Sequence, residues 1–308
     1  MSTPNIFDKS FLNTKRTRAA KQITKYDFLL RHVAQDLSDR LSFILRTFTH
    51  TLDFGSHHGV VGHAVSKLET VDNVMFLDSC SALLQHCKGH KILADEEILP
   101  LAPKVFDLIV SGLSLQNLND LPGILLQLRH TLKPDGLFLA SLLGGRTLWE
   151  LREAFNIAQE EMEGGTSPHI APFVDVRDAG HLLQRAGFTL PVADTDSLTI
   201  HYDTALHLMK DLQGMGGSNS LIQRNRTPLK RSTLFRIVEI YQERFALKNG
   251  KDTGKVPATF EILTLTGWSP HDSQQQPLKP GSATTRLADA LETTEHSAGE
   301  KAYFKDTP

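Results

Sequence analysis

The hydrophobic positions in the first half of the chain form short apolar runs, separated by stretches with helical periodicity. Five runs have the length and apolar character of buried strands: His50–Phe54, Val74–Asp78, Lys91–Ala94, Phe106–Ser111 and Leu137–Gly145. Apolar residues three and four positions apart predict helices between these runs and over Tyr26–Phe48. Strands that alternate with helices predict an α/β fold with a doubly wound, mostly parallel sheet.

The pattern also divides the chain into four parts. We expect an N-terminal helical segment at residues 1–48, a core at 49–146, a continuation of the fold with insertions at 147–268, and a polar, disordered tail at 269–308. In the continuation, Thr147 and Glu150 have the spacing of a capping box and predict the start of a helix. The further elements predicted there are helices at Asp175–Ala186, 203–213 and Thr233–Leu247 and strands at Phe188–Val192, Leu198–Tyr202 and Ala258–Trp268.

Composition and charge narrow the class of protein. The chain has 308 residues, of which 40% are hydrophobic, enough for a full core. The formal net charge of −2 gives no overall field that would attract nucleic acid, so we predict no nucleic-acid partner. Cys80 and Cys87 match no zinc spacing and form no disulfide framework, and we predict no metal site. We recognise neither a membrane span nor a signal peptide, so the cytoplasm is the expected compartment.

The stretch Thr51–Gly62, TLDFGSHHGVVG, joins the first predicted strand to a helix through three glycines. Glycine allows a sharp turn and lets a ligand approach the backbone, and a helix behind the turn offers free N–H groups. The candidate cofactor-binding residues of this stretch are Asp53, Gly55, Ser56 and Gly59. The spacing differs from the dinucleotide G-x-G-x-x-G because His57 stands at the middle position. The stretch alone favours a nucleotide site and a plain tight turn equally.

Acidic residues follow the next two predicted strands. Asp78 lies where an acid accepts hydrogen bonds from ribose hydroxyls in α/β nucleotide folds, with Ser79 beside it; helix capping is the alternative and is compatible with it. Asp95 and Glu96 follow the third strand and either contact an adenine amino group or are solvated loop charges. Gln116, after the fourth strand, is a candidate substrate or partner contact. Because ligands bind beyond the carboxyl ends of parallel strands, we expect these side chains at one site.

Two basic segments and one histidine pair are each open to two interpretations. Residues 5–24 carry five Lys and Arg side chains, which form either a solvated helix face, or a lid or a contact for an acidic or phosphate-bearing partner. The Gly- and Arg-rich stretch Gln213–Arg231 is either a solvated loop or a partner-binding surface. Its candidate contacts are Asn219, Arg224 and Arg226. His201 and Asp203 have the spacing that begins a non-heme iron site, although a strand-end histidine and a capping aspartate are the preferred interpretation.

Several long phrases of the sequence resemble one family. They include FDLIVSGLSLQNLNDLPG, GGTSPHIAPFVDVRDAGHLLQRAGF, HLMKDLQGMGGSN and PATFEILTLTGWSP, in the family's order. The family is that of the mitochondrial complex I assembly factor 5 and its bacterial relatives, and it is similar to the malonyl-carrier-protein methyltransferase of biotin synthesis. The resemblance runs from Phe7 to Pro270, and GSAT at Gly281–Thr284 resembles the family's tail.

The resemblance implies a fold of the class I S-adenosylmethionine-dependent methyltransferase type, with N-terminal helices and a C-terminal elaboration, and S-adenosylmethionine as the cofactor. By family motif, the cofactor residues are Asp53, Gly55 and Gly59 in the loop, Asp78 at the ribose and Asp95 at the adenine. His57 departs from the usual glycine and is expected to crowd the methionine moiety. The mitochondrial family member is associated with hydroxylation of an arginine on the iron–sulfur subunit of complex I beside the quinone site, which implies a protein partner.

Three functions stay open on the sequence. The first is an enzyme that modifies an arginine during complex I assembly, by hydroxylation or methylation. The second is methyl transfer to a small molecule or a carrier protein, as in the biotin pathway, and the third is a non-catalytic assembly chaperone. No nucleophile–base pair is evident, although methyl transfer can proceed by positioning alone. The expected compartment is the bacterial cytoplasm, or the mitochondrial matrix for a processed eukaryotic protein, with room for peripheral membrane contact.

Overall fold

A computed structural model of the protein describes residues 5–275, 282, 284–294 and 299. The chain forms two compact units, Met1–His271 and Asp272–Pro308. The described residues of the second unit include one short helix, Leu287–Ala290. The disorder prediction for the tail and the GSAT resemblance fall in good part on residues outside this description. Within the described ranges, no helix is long and apolar enough to cross a membrane.

Seven strands form one sheet in the first unit. They are β1 (Phe48–Phe54), β2 (Val71–Asp78), β3 (His90–Leu93), β4 (Phe106–Gly112), β5 (Leu132–Leu143), β6 (Thr189–Tyr202) and β7 (Val256–Trp268). Their order across the sheet is β3-β2-β1-β4-β5-β7-β6. Strands β1 to β5 pair in parallel, whereas β7 runs antiparallel to β5 and to β6. The mostly parallel, doubly wound sheet is thus confirmed, and the strand order reverses between β1 and β4, where such sheets bind ligands.

Helices cover both faces of this sheet. They are α1 (Lys9–Ala20), α2 (Phe28–Ser42), α3 (Val60–Val65), α4 (Ser81–Leu84), α5 (Leu121–Thr131), α6 (Trp149–Glu163), α7 (Val176–Arg185), α8 (Ala205–Gly214) and α9 (Arg231–Phe245). Along β4, Leu108 and Val110 pack in the core cluster that contains α2, while Ile109 packs in the cluster that contains α5. Because successive strand residues face opposite sides, the two clusters lie on opposite faces of the sheet.

The structure differs from two local predictions. β6 is one continuous strand rather than two short ones, because it pairs with β7 along its length. The capping box is wrong, since α6 begins after Leu148, which has a φ of 54° and makes no side-chain cap. Thr147 Oγ1 donates instead to the Glu261 carbonyl at 3.1 Å, and Thr259 Oγ1 donates to the Glu150 carboxylate. The two polar residues therefore fasten α6 to β7 rather than cap the helix.

The N-terminal segment is fastened across the strand ends that carry the candidate site. The Asp8 N–H donates to the Ser220 carbonyl at 2.8 Å, and the Ile222 N–H donates to the Ile6 carbonyl at 2.9 Å. The Asn119 side chain accepts a further hydrogen bond from the Ile6 N–H at 2.8 Å. This pairing joins the start of the chain to the loop before α9 and holds α1 beside the carboxyl end of β2.

Candidate functional site

The glycine loop between β1 and α3 is a closely packed turn. Gly55 and Gly59 have φ values of +62° and +83°, and α3 begins directly after Gly59. A Cβ at Gly55 would lie 2.0 Å from Ser114 Oγ, so the turn leaves no room for a side chain there. Ser56 is buried, and its N–H donates to the Leu77 carbonyl at 3.0 Å. The loop is thus held against the ends of β2 and β4, and its role in cofactor binding stays a prediction.

Asp53, at the end of β1, stabilises the glycine loop through a hydrogen bond to the helix that follows it. The side chain is fully buried, and Oδ2 accepts the Gly62 N–H at 2.8 Å, which ties β1 to α3. Oδ1 has no hydrogen-bond partner among the described residues. Burial raises the pKa of Asp53 to about 7, and the charge of the nearby Asp78 adds to the rise. The carboxyl group is therefore protonated in the folded protein at a pH where it is ionised in the unfolded chain.

Asp53→Asn is expected to stabilise the protein above neutral pH. Because the pKa is raised in the folded state, the stability of the wild-type protein falls as pH rises from about 4 to about 7. Asparagine cannot ionise and can still accept from Gly62, so its advantage should grow over the same range to a few kcal/mol. Urea unfolding from pH 5 to pH 9 measures this difference, and parallel pH profiles for the two proteins would contradict the assignment.

Asp78, at the end of β2, is the central acceptor of the site. The carboxylate is fully buried, and Oδ2 accepts from Arg16 Nη2 at 2.7 Å and from the His57 N–H at 2.8 Å. Oδ1 accepts the Cys80 N–H at 2.7 Å. Since a carboxylate offers about four acceptor positions, about one remains for a ligand. A buried carboxylate at a strand end suits a ribose hydroxyl, because the hydroxyl supplies the donor that this position lacks.

Arg16 reaches the Asp78 carboxylate from α1. The residue is only 6% exposed, and Nη1 lies 3.3 Å from both Glu96 Oε1 and Ser79 Oγ. Burial opposes its charge, but the carboxylates of Asp78 and Glu96 outweigh this effect and raise the Arg16 pKa. Arg16 is therefore a charged clamp between two buried carboxylates, and it makes α1 part of the site.

His57 occupies the position of the usual glycine in a left-handed conformation, with a φ of 51°. Nε2 lies 3.2 Å from the Leu113 carbonyl, and Nδ1 lies 3.2 Å from Arg16 Nη2. Because the carbonyl can only accept, Nε2 carries the proton and Nδ1 accepts from Arg16. Burial, reinforced by the charge of Arg16, lowers the His57 pKa far below its ordinary value, so the ring is neutral. Crowding of a methionine moiety by this ring stays a prediction.

Of the two candidate acids after β3, one is exposed and the other is buried. Asp95 is exposed and accepts the Glu97 N–H at 2.9 Å. Glu96 is buried, with Oε1 next to Arg16 and 3.4 Å from the Ser79 N–H. The structure thus brings Glu96 together with Arg16 and Ser79 and leaves Asp95 at the outside. A contact of either acid with an adenine stays a prediction.

A cavity of about 300 Å³ adjoins Arg16 and His57. Most of its wall is apolar, and it includes residues of α1, α2, α6, α8 and β7 together with the loop that follows α8. Gln116 and Asn219, two of the candidate contacts from the sequence, line it. Asn219 Nδ2 donates to the Pro168 carbonyl at 2.8 Å, which joins two of the loops at the cavity. The cavity therefore connects the predicted cofactor loop with the predicted substrate residues.

The same cavity contains an acid–histidine pair that sequence analysis missed. His58 Nε2 lies 2.9 Å from Asp27 Oδ2, and Arg31 Nε donates to Asp27 Oδ1 at 2.7 Å. Burial would raise the Asp27 pKa, but the hydrogen bonds from Arg31 and His58 outweigh it and lower the pKa. The pair arises because the start of α2 lies over the glycine loop, a tertiary contact without a local sequence signal.

The two candidate arginines of the loop before α9 lie outside the cavity lining. Arg224 is engaged within the chain, since Nη2 donates to Asp8 Oδ2 at 3.1 Å and the guanidinium lies 3.9 Å from the centroid of the Phe11 ring. Arg226 is exposed. Arg224 therefore fastens the N-terminal segment, whereas Arg226 is free to face solvent or a partner.

The structure does not bring His201 and Asp203 or the two cysteines into the candidate site. His201 Nδ1 lies 2.8 Å from Asp252 Oδ2, and Asp203 lies near His207 instead. In the part of the chain that the structure describes, no group of three or more His, Cys, Asp or Glu side chains is arranged to hold a metal ion. Both cysteines are buried free thiols, and burial raises the pKa of Cys87 to about 11.

Comparison with a family model and with solved structures identifies the class of protein to which the fold belongs. Residues 26–191 match the family model of a methyltransferase domain. The YcgJ protein of Bacillus subtilis has the same fold, with a TM-score of 0.54 and 14% identity over 78% of this chain and 99% of that one. Phosphoethanolamine N-methyltransferase 2 of Haemonchus contortus, solved with S-adenosyl-L-methionine, has a TM-score of 0.51 and 14% identity over 82% of this chain and 57% of that one. The fold is thus that of the class I S-adenosylmethionine-dependent methyltransferases.

Sequence comparison defines the family within this class. The chain is 41% identical to the mitochondrial arginine-hydroxylase NDUFAF5 of Danio rerio, over 92% of this chain and 89% of the relative. The human protein of the same name is 40% identical over 93% of this chain and 84% of its own length. The malonyl-[acyl-carrier protein] O-methyltransferase of Gallionella capsiferriformans is 30% identical, over 86% and 92%. The chain belongs to the NDUFAF5 family of methyltransferase-fold proteins, which confirms the resemblance.

Proposed function

We propose that the protein binds S-adenosylmethionine and hydroxylates an arginine side chain of the iron–sulfur subunit beside the quinone site of respiratory complex I. Relatives about 40% identical to the chain over more than nine-tenths of its length are named arginine-hydroxylases. The observation that carries the proposal is the cavity that adjoins the glycine loop and Arg16, the residue that contacts Asp78. A substrate side chain in this cavity would lie next to the cofactor position. We place the protein in the cytoplasm of a bacterium or the matrix of a mitochondrion.

The residues present fit this cofactor. Asp78 keeps an acceptor position that a ribose hydroxyl would fill, and Gly55 and Gly59 supply the positive-φ backbone of the turn beside it. Glu96 and Asp95 are the acids available to an adenine amino group. Bound S-adenosylmethionine supplies an activated methyl group, whereas hydroxylation adds an oxygen atom and draws on an oxidant besides this cofactor. Arg16 shares Asp78 with any ribose bound there, which couples α1 to cofactor binding.

A second function, O-methylation of a malonyl group on a carrier protein, is favoured by the relatives that are about 30% identical. Such a substrate presents a carboxylate to the cavity, whereas an arginine presents a guanidinium. The two functions therefore require opposite hydrogen-bonding character from the cavity wall. Mass analysis of the subunit from cells with and without the gene tests the proposed function, since hydroxylation adds one oxygen atom to the arginine.

Arg226→Ala is expected to weaken capture of the iron–sulfur subunit while leaving the fold intact. The guanidinium is exposed and suits a partner carboxylate, so its loss should lower affinity severalfold at low salt and less at high salt, where screening weakens the attraction. Biolayer interferometry with the purified subunit measures the change. Arg177→Ala, at an exposed arginine of α7, is the matched control. Equal affinities for both variants at low salt would show that this loop is not the docking surface.

A further inference from the structure

Two residues that line the cavity each carry a hydrogen-bond acceptor without a partner. His58 and Gln116 both line the cavity, and His58 is only 7% exposed. Among the described residues, neither His58 Nδ1 nor Gln116 Oε1 has a hydrogen-bond partner, and both atoms are buried. A buried polar atom without a partner costs free energy, so such atoms in a cavity point to a ligand that supplies the missing bonds.

The protonation of His58 follows from its neighbour. Asp27 is held as a carboxylate by Arg31 and can only accept, so the proton of the imidazole is on Nε2, which faces Asp27. Nδ1 is then a lone-pair acceptor. Burial outweighs the attraction of Asp27 and lowers the His58 pKa, which keeps the ring neutral. The free nitrogen therefore calls for a donor from the ligand.

The orientation of the Gln116 amide is fixed in the same way. Nε2 donates to the Leu113 carbonyl at 2.7 Å, and the same carbonyl accepts from His57 Nε2. The amide oxygen of Gln116 has no hydrogen to donate to the Leu113 carbonyl, so it is the atom left without a partner. The second unpartnered group of the cavity is thus also an acceptor.

The charges around the cavity favour a cation. Asp27 and Arg16 are the charged residues that line the cavity. The buried carboxylates of Asp78 and Glu96 contact Arg16 from outside the lining, and the largely exposed Arg31 contacts Asp27, so this group of five carries one more negative than positive charge. A cationic ligand balances this excess in a largely apolar surrounding, where unbalanced charge is costly. A carboxylate ligand would add a second excess charge and would meet two lone-pair acceptors.

We propose that the cavity binds a cationic N–H donor group, whose hydrogen bonds His58 Nδ1 and Gln116 Oε1 accept. This proposal rests on the proposed function, in which an arginine side chain enters the cavity. A guanidinium of the protein substrate and the ammonium of the methionine moiety of the cofactor share this chemistry. The proposal assigns the two residues as specificity-determining contacts and disfavours a malonyl carboxylate at the same place.

The test is isothermal titration calorimetry on the full chain and on Gln116→Met, which keeps the side-chain size but removes the acceptor. In one arm the probe is N-acetylarginine amide, added to protein saturated with S-adenosylhomocysteine. In the other arm S-adenosylhomocysteine is the probe. We expect about a tenfold loss of affinity in one arm, as for loss of a hydrogen bond to a charged group. Weaker binding in the first arm identifies the substrate guanidinium as the donor that the two residues accept from. Weaker binding in the second arm identifies the cofactor ammonium instead.

Three controls make the result decisive. Gln85→Met, at an exposed glutamine, should bind both probes like the wild-type protein. N-acetylglutamate amide should bind the wild-type protein more weakly than the arginine probe does. His58→Phe should reproduce the loss seen for Gln116→Met. Unchanged affinities in both arms, or preference for the glutamate probe, would overturn the proposal. Because binding is measured without turnover, failure of the modification reaction itself would leave this result unaffected.

Discussion

Arg16→Ala is expected to lower the free energy of unfolding by about 3–5 kcal/mol, the cost of leaving a buried charge without its partner. The guanidinium lies between Asp78 and Glu96, both fully or almost fully buried, and its removal leaves two neighbouring carboxylates without a counter-charge. One of the two carboxylates would have to take up a proton when the chain folds, because two neighbouring negative charges repel each other. The variant should therefore also lose stability as pH rises. Urea unfolding at pH 6 and pH 8 measures both effects.

Arg18→Ala is the matched control for this substitution. Arg18 lies two residues further along α1 and is exposed, so its loss should change stability by less than about 0.5 kcal/mol. Adding Asp78→Asn to Arg16→Ala should restore part of the loss, because the pair of buried charges is then reduced to one. If Arg16→Ala costs no more than Arg18→Ala, α1 is not clamped to the site in solution.

Asp78→Asn is expected to weaken binding of S-adenosylmethionine by at least about a hundredfold, roughly 3 kcal/mol. Ribose hydroxyls donate to a carboxylate through charge-assisted hydrogen bonds, and asparagine offers one neutral acceptor in its place. Arg16 still pairs with Glu96 in this variant, so we expect the chain to fold. Calorimetry measures the affinity, and the rise in melting temperature with added cofactor gives a second reading through linkage.

Asp72→Asn is the control for the cofactor experiment, because Asp72 lies exposed near the other end of the same strand. It should bind S-adenosylmethionine as the wild-type protein does. Equal affinities for Asp72→Asn and Asp78→Asn would remove Asp78 from the cofactor site and with it the proposed arrangement of the ribose.

The sheet could be predicted because its strands carry a strong local signal. In Phe106–Gly112 six of the seven residues are buried, since helices cover both faces, and such a strand is a nearly continuous apolar run. The ends of these runs then located the glycine loop and Asp78. The capping box failed for a physical reason, since Thr147 and Glu150 satisfy hydrogen bonds to β7 that lie more than 100 residues away in sequence.

The clamp and the cavity could not be predicted, because both depend on contacts between distant parts of the chain. Arg16 is one of four basic residues in the polar helix α1, and only its contact with Asp78, 62 residues further along the chain, distinguishes it from the others. His58 and Asp27 are 31 residues apart and meet only when α2 packs over the glycine loop. Local periodicity carries no information on such pairs.

The most direct test of the proposed function is the intact mass of the complex I iron–sulfur subunit beside the quinone site. The subunit would be purified from cells that carry the wild-type gene, lack it, or carry Asp78→Asn, and the arginine would be located by peptide mapping. We expect the added mass of one oxygen atom on an arginine with the wild-type gene and an unmodified arginine in the other two. An identical subunit mass in all three cells, or an added methylene in place of oxygen, would contradict it.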